Sequence, residues 1–357
     1  EQRGFLFTFS TNTHTRLMAS RINCSFLRNY ALLGVLLVIQ CLCLNGCRST
    51  SEPEYRLRVA LWANERHTWY QAMEAFAAEV AEESGGRMLV EVYPSEQLAK
   101  EIESIRMIQA GVIDMTVTGS LLSNWIEIAT FCELPFLLQS EEDRMALLEG
   151  PIGQRIEREM LERTGLRPLG YFIRGPRQLT SNRPIRHPDE LNGMILRVPN
   201  VPSFVTAWEA MGAKPTPMAF SEVFTGLQQG TIDGQENPFA LILNAGFAEV
   251  QQYVNLTEHV MSWSYTVIGE RKYQALPEDL RSVLTTAASN MQAYEHQLFL
   301  ENEQQVRTEL QAKGMTFVEV DKAAFQERCE QRIYESLSPE MQGVYRSFIE
   351  ERKAARE

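Results

Sequence analysis

Two arginines stand out among the residues whose types and spacing could do chemistry. Arg197 sits inside an apolar run, Met194-Ile-Leu-Arg-Val-Pro199, and Arg177 lies upstream in Gly175-Pro-Arg-Gln-Leu-Thr-Ser-Asn182. A guanidinium presents a planar fork of donors that matches a carboxylate bidentately and keeps its charge when desolvated. An unpaired charge in an apolar strand is costly, so Arg197 needs an anion. A structural salt bridge to Glu190 or Glu236 and a ligand carboxylate are both open at this point. Arg177, among turn residues, reads equally well as a solvated surface arginine. Phe220 reads as core or as a ligand platform, and Asn237, before Pro238, as a turn residue or an amide donor. Other chemistries lack their residues. The five histidines, His14, His67, His187, His259 and His296, show no metal-ligand spacing. No Gly-rich phosphate loop, Gly-x-Ser-x-Gly elbow or Cys–His pairing is present. Asp233 and Glu236 read as turn and cap carboxylates. The expectation is a binding protein with no catalytic residues, no metal and no cofactor.

The hydropathy pattern supplies elements to position these residues. Arg56–Trp62 reads as a strand, and a helix capped by Thr68 runs to Glu83, with Met73, Phe76 and Val80 on one face. Met88–Tyr93 is a strand, Gln97–Ala110 a helix stopped by Gly111, and Val112–Thr118 a third strand. Alternation of strand and helix predicts a parallel sheet with right-handed crossovers. Phe131–Phe136 reads as a buried irregular turn, 151–162 as a helix and Leu166–Ile173 as a strand. Gly175–Asn182 then reads as a turn crossing between two lobes. Beyond Arg197 the spacing predicts a helix over 203–211, an extended stretch held by Pro215 and Pro217, and a helix capped by Ser221. A polar turn over Asp233–Pro238 and a strand over Trp263–Ile268 follow. From Pro277 the pattern stays helical to Lys313, where Gly314 ends it; about 35 residues make a helix of about 50 Å, enough to lie across both lobes.

The 357 residues, 44% hydrophobic, suffice for two domains with their own cores. A formal net charge of −12 excludes a phosphate-binding face of the kind nucleic acid requires. At the N-terminus, Arg21 and Arg28 precede an apolar run, Tyr30–Ile39, that is too short for a membrane span and reads as a secretory signal peptide. Leu44-Asn-Gly-Cys47 resembles a bacterial lipobox, which makes Cys47 the expected lipidation site; plain cleavage nearby is the alternative. Of six cysteines only Cys132 and Cys329 lie beyond this leader, so no disulfide framework is expected.

Four runs carry a resemblance. Gly175-Pro-Arg-Gln-Leu-Thr-Ser-Asn-Arg-Pro-Ile185, Leu191-Asn-Gly-Met-Ile-Leu-Arg-Val-Pro199, Gly212–Phe224 and Asp233-Gly-Gln-Glu-Asn-Pro238 look like the solute-binding proteins of TRAP transporters, the DctP family, from about Tyr55 to the C-terminus. The second lobe is similar to the sialic-acid-binding branch. The resemblance implies that Arg197 salt-bridges a ligand carboxylate, that Arg177 supports it, that Phe220 packs on the ligand and that Asn237 hydrogen-bonds it. Glu101 matches an acidic first-lobe position that contacts ligand hydroxyls. Trp62 and Gly119, after Thr118, fall where sialate binders place polar side chains, which points to a different carboxylate read around Trp62, Glu101 and Thr118.

The resulting expectation is an α/β, two-lobed periplasmic-binding-protein-like fold, with a ligand cleft between lobes and a long C-terminal helix spanning both. Residues 1–47 form the leader and 48–54 a tether. Residues 55–173 plus 263–302 form lobe I, and 174–262 plus 303–357 form lobe II. The function implied is a monomeric periplasmic receptor that binds an organic acid, a sugar acid or a C4-dicarboxylate. It would deliver this ligand to TRAP membrane permease subunits, with a lipid anchor at Cys47. The alternative is a sensor of the same fold signalling to a membrane histidine kinase.

Overall fold

The computed structural model describes residues 52–356; the expected leader, the expected lipidation site Cys47 and residues 48–51 of the expected tether lie outside the described residues. The first lobe grows from β1 (Tyr55–Ala60), α1 (Thr68–Glu83), β2 (Met88–Tyr93), α2 (Glu101–Ala110) and β3 (Met115–Thr118). Strand β1 pairs in parallel with both β2 and β3, as the alternation predicts. Met73, Phe76 and Val80 of α1 are fully buried against this sheet. Two starts differ from expectation. The His67 ring, rather than Thr68, caps α1 by accepting from Trp69 N at 3.2 Å. Helix α2 begins at Glu101 rather than Gln97, because Lys100, with φ of −67° and ψ of 160°, is extended and can only flank a helix.

After a 3₁₀ turn at Glu127–Glu133, the chain forms α3 (Glu141–Glu149), α4 (Pro151–Glu159) and β4 (Leu166–Arg174). The expected loop at 175–182 is mostly strand: only Gly175 and Pro176 turn before β5 (Arg177–Ser181) begins the second sheet. There follow β6 (Ile195–Val198), α5 (Pro202–Ala210), β7 (Lys214–Pro217), α6 (Val223–Gln228), β8 (Gly234–Pro238), α7 (Phe239–Asn244) and β9 (Tyr253–Asn255). Ser221 caps nothing, since it lies inside a 3₁₀ turn, Phe220–Glu222, that runs directly into α6. Asp233–Pro238, expected as a turn, is chiefly β8, a central strand buried along its whole length.

The chain returns through β10 (Ser262–Gly269), which pairs antiparallel with β3 and β4 and completes the first sheet, ordered β2-β1-β3-β10-β4. After α8 (Glu270–Ala275) comes α9 (Glu278–Ala312), then β11 (Thr316–Val318), which completes the second sheet, ordered β11-β9-β5-β8-β6-β7. Helix α9 bridges the lobes as its length predicts. Its first half buries Leu280, Leu284, Ala287 and Met291 in the core of the first sheet, and its second half buries Val306 and Leu310 beside β9 and α7 of the second. The last two helices are α10 (Lys322–Ser336) and α11 (Pro339–Arg356). The C-terminal end of the chain also touches the first-lobe segment. Helix α11 docks on the first-lobe segment, with Arg352 on Asp143 at 2.8 Å and Glu340 on Arg155 at 2.7 Å.

Candidate ligand-binding site

Strand β8 is the floor of the site. Gln235, Glu236 and Asn237 are polar yet almost completely buried, and they persist there because each has a partner. Gln235 Nε2 donates to Thr180 Oγ1 at 3.0 Å, and Asn237 Nδ2 donates to Gln235 Oε1 at 2.6 Å. Antiparallel pairing of β5 with β8 brings Arg177 onto Glu236, whose carboxylate accepts Nε at 2.5 Å and Nη2 at 2.7 Å. His259 Nε2 donates to the same carboxylate at 2.9 Å. Burial works against the charge of Glu236, but Arg177 and then His259 outweigh it and hold the carboxyl down at about 2. Arg177 therefore spends its fork within the protein; its place at the cleft is that of a positively charged wall.

Arg197, on β6 next to β8, is different. Its Nε and Nη2 both donate to the Met218 carbonyl, at 3.0 and 2.6 Å, and it forms no ion pair among the described residues. Neither expected structural partner reaches it: Glu190 accepts from Arg186 N and His187 N at its own helix start, and Glu236 belongs to Arg177 and His259. Arg197 is 4% exposed, and burial pulls its pKa down to about 10, so it stays cationic at neutral pH. A buried guanidinium whose only partner is a neutral carbonyl is an anion site.

The opposite wall comes from the first lobe. Glu101 opens α2 and accepts from Thr118 Oγ1 at 2.8 Å; burial raises its carboxyl to about 7. Trp62, just after β1, stands edge-on to Trp69 at 4.9 Å and to Phe220 at 5.4 Å. The two walls enclose a cleft of about 410 Å³, within the size range of small-molecule sites. Of the seven residues expected to touch ligand, Trp62, Glu101, Arg177, Arg197, Phe220 and Asn237 line it. Thr118 does not. It is fully buried and donates to the Glu101 carboxyl.

Sequence reasoning missed Arg174, Glu133, Ser120 and Ser264, which also line the cleft. Glu133 did leave a signal, a lone carboxylate in the apolar Phe131-Cys-Glu-Leu-Pro-Phe136. It accepts from Ser120, from Arg174, and from Ser262 Oγ at 3.0 Å. At the rim, Lys100 Nζ of the first lobe meets Glu222 of the second at 2.6 Å. Four cations thus line the cleft, and Lys100, Arg174 and Arg177 each face a carboxylate of the protein. Arg197 alone among these four does not. The arrangement can hold one anionic group at the second-lobe wall and neutral polar groups at the first.

Residues 59–340 match the family model DctP, bacterial extracellular solute-binding protein, family 7. A solute-binding protein of Roseobacter denitrificans is 45% identical over 316 residues, covering 88% of this chain and 97% of the relative. A solved TRAP periplasmic solute-binding protein from the same organism, with bound L-galactonate, superposes with a TM-score of 0.81 at 47% identity, over 84% of this chain and 100% of that one. Another, from Xanthobacter autotrophicus with bound β-D-galacturonate, superposes with a TM-score of 0.77 at 28% identity, over 82% of this chain and 98% of that one.

Proposed function

The chain belongs to family 7 of the bacterial extracellular solute-binding proteins, and we propose that, as a TRAP periplasmic receptor, it takes a sugar acid carrying a single carboxylate. The observation that carries this reading is the unpaired guanidinium of Arg197 at the cleft wall. One uncompensated cation matches one carboxylate. A C4-dicarboxylate or an aldaric acid would bring a second charge toward Glu101, where no free cation waits. L-galactonate and β-D-galacturonate, the ligands of two relatives, each carry one carboxylate and several hydroxyls, which agrees with this balance. Asn237 and Phe220 would flank the carboxylate end, and Trp62 and Glu101 would meet the hydroxylated body.

Membrane permease subunits are the partners that the family implies, and the TRAP solute-binding proteins among its relatives favour delivery to a permease over signalling to a histidine kinase. Among the described residues no helix is long and apolar enough to cross a membrane. The sequence Leu44-Asn-Gly-Cys47 supports a lipid tether through Cys47 as part of the same reading. Crossings at Gly175–Pro176 and between β9 and β10 support a division of the chain into 55–173 plus 263–302 and 174–262, with α11 riding on the first part.

A thermal-shift panel of aldonates, uronates, aldarates and C4-dicarboxylates tests this. A ligand at 100 times its Kd stabilises the fold by about 2.7 kcal/mol, a shift of several degrees. Monocarboxylic sugar acids should shift the melting temperature and their dicarboxylate counterparts should not. A larger shift with succinate or galactarate would refute the single-carboxylate reading.

A further inference from the structure

We propose that Arg174 is a ligand-reading residue that donates to a hydroxyl of the sugar-acid body; this rests on the receptor reading above and names what its first-lobe wall recognises. Arg174 ends β4 at the cleft, one turn of chain before the second sheet begins. Three independent contacts fix its guanidinium. Nη1 donates to Glu133, which is itself held by the hydroxyls of Ser120 and Ser262. The planar group also lies 5.7 Å from the Trp62 ring centre and 5.9 Å from that of Trp69, so two indoles hold its plane by cation–π contact. Arg144 Nη1 approaches the Arg174 carbonyl and steadies the backbone beneath it at 3.5 Å.

Such a side chain is oriented before any ligand arrives, which lowers the entropy lost on binding. Its charge is matched by Glu133, so it offers N–H donors without attracting a second carboxylate. Nη2 has no protein partner among the described residues. Next to it on the same wall, Glu101 offers an acceptor that Thr118 has already aligned. A donor and an acceptor side by side match the two faces of a hydroxyl, which both donates and accepts. Arg197 on the other wall keeps the uncompensated charge for the carboxylate. The two walls therefore divide the ligand between them, the charge to Arg197 and the hydroxyl pattern to Arg174 with Glu101.

Titration calorimetry of the wild type, Arg174→Lys and Arg174→Gln against L-galactonate and against the three-carbon glycerate tests the division. Glycerate carries the carboxylate and lacks most of the hydroxylated body. Both variants should bind L-galactonate at least tenfold more weakly while their glycerate affinity stays within threefold of wild type; Arg174→Lys, which keeps a cation facing Glu133, should melt near wild type, and Arg174→Gln should melt lower yet stay folded at the titration temperature. Equal weakening for both acids, or an L-galactonate affinity within threefold of wild type, would overturn the inference. So would variants that melt before titration, since Arg174 would then be a structural ion-pair residue. If Arg197→Ala abolishes binding of both acids and Arg174 variants do not discriminate, this inference alone fails. If the wild type binds neither acid nor any other on the panel, the receptor reading fails and takes it down as well.

Discussion

Arg177 and Arg197 are the same residue type in the same cleft with opposite energetics. Arg177 neutralises a buried carboxylate, and removing it would leave Glu236 charged and stranded. Arg177→Met is expected to destabilise the ligand-free protein by about 3–5 kcal/mol. Arg197 carries a charge that burial disfavours, so Arg197→Met removes that penalty and loses only the bonds to the Met218 carbonyl. Its ligand-free stability should fall much less than that of Arg177→Met, because losing charge-assisted bonds to a carbonyl, about 1.5–3 kcal/mol, is offset by removal of the burial penalty. Chemical denaturation of both variants checks the contrast; equal destabilisation would mean that Arg197 is structural. The sequence placed both arginines and named Glu236 as a possible partner, but tied it to Arg197. Its actual partner is decided by the pairing of β5 with β8, two strands whose residues read locally as turns, so nothing nearby in the chain could reveal it.

At the level of elements, apolar periodicity was legible and buried polarity was not. The long helix, its bridging face and the strand–helix alternation of the first lobe all follow from hydrophobic spacing. Strand β8, Gly-Gln-Glu-Asn-Pro, has no such spacing, because its side chains are satisfied by Thr180, Arg177 and His259 from elsewhere in the chain. Glu295 is another case. It lies in the middle of α9, fully buried, accepting from Ile173 N at 3.1 Å and Thr68 Oγ1 at 3.4 Å, and so ties the bridging helix to β4 and α1. Burial raises its carboxyl to about 8 from an ordinary 4.5, against the opposing pull of the Ile173 bond. Between those pH values the folded chain keeps a proton that the unfolded chain has released. This contribution to stability is therefore full below pH 4.5 and is lost as pH rises to 8. Glu101, raised to about 7, acts with the same sign over pH 4.5–7. Glu295→Gln should melt like wild type near pH 4.5 and several degrees higher at pH 8. Melting curves across that range check it, and parallel profiles would contradict it.

For the whole molecule, polar and aromatic contacts join the two lobes at the mouth of the cleft. Lys100 faces Glu222 at 2.6 Å, Asn64 Nδ2 donates to the Asn244 carbonyl at 2.8 Å, and Trp62 meets Phe220. Exposed ion pairs of the first kind contribute about 0.2–1 kcal/mol, too little to hold two lobes shut. In the proposed reading, closure draws its free energy from a ligand that touches both walls, the carboxylate on Arg197 and the body on Trp62, Glu101 and Arg174. The fold class and the second-lobe residues that line the cleft were legible from sequence, through the spacing of apolar faces and the resemblance. On the first-lobe wall Trp62 and Glu101 were legible, but Arg174, Glu133 and Ser264 were not, because they reach it from β4, the Glu127–Glu133 turn and β10, which only the folded first sheet brings together. The account stands or falls on whether one guanidinium holds one carboxylate. Calorimetric titration of wild type and Arg197→Ala with L-galactonate and with the dicarboxylate galactarate tests this most directly. The expected result is binding of L-galactonate at least tenfold tighter than galactarate by the wild type, and no measurable binding of either by a folded Arg197→Ala protein. L-galactonate affinity unchanged by that substitution would contradict it.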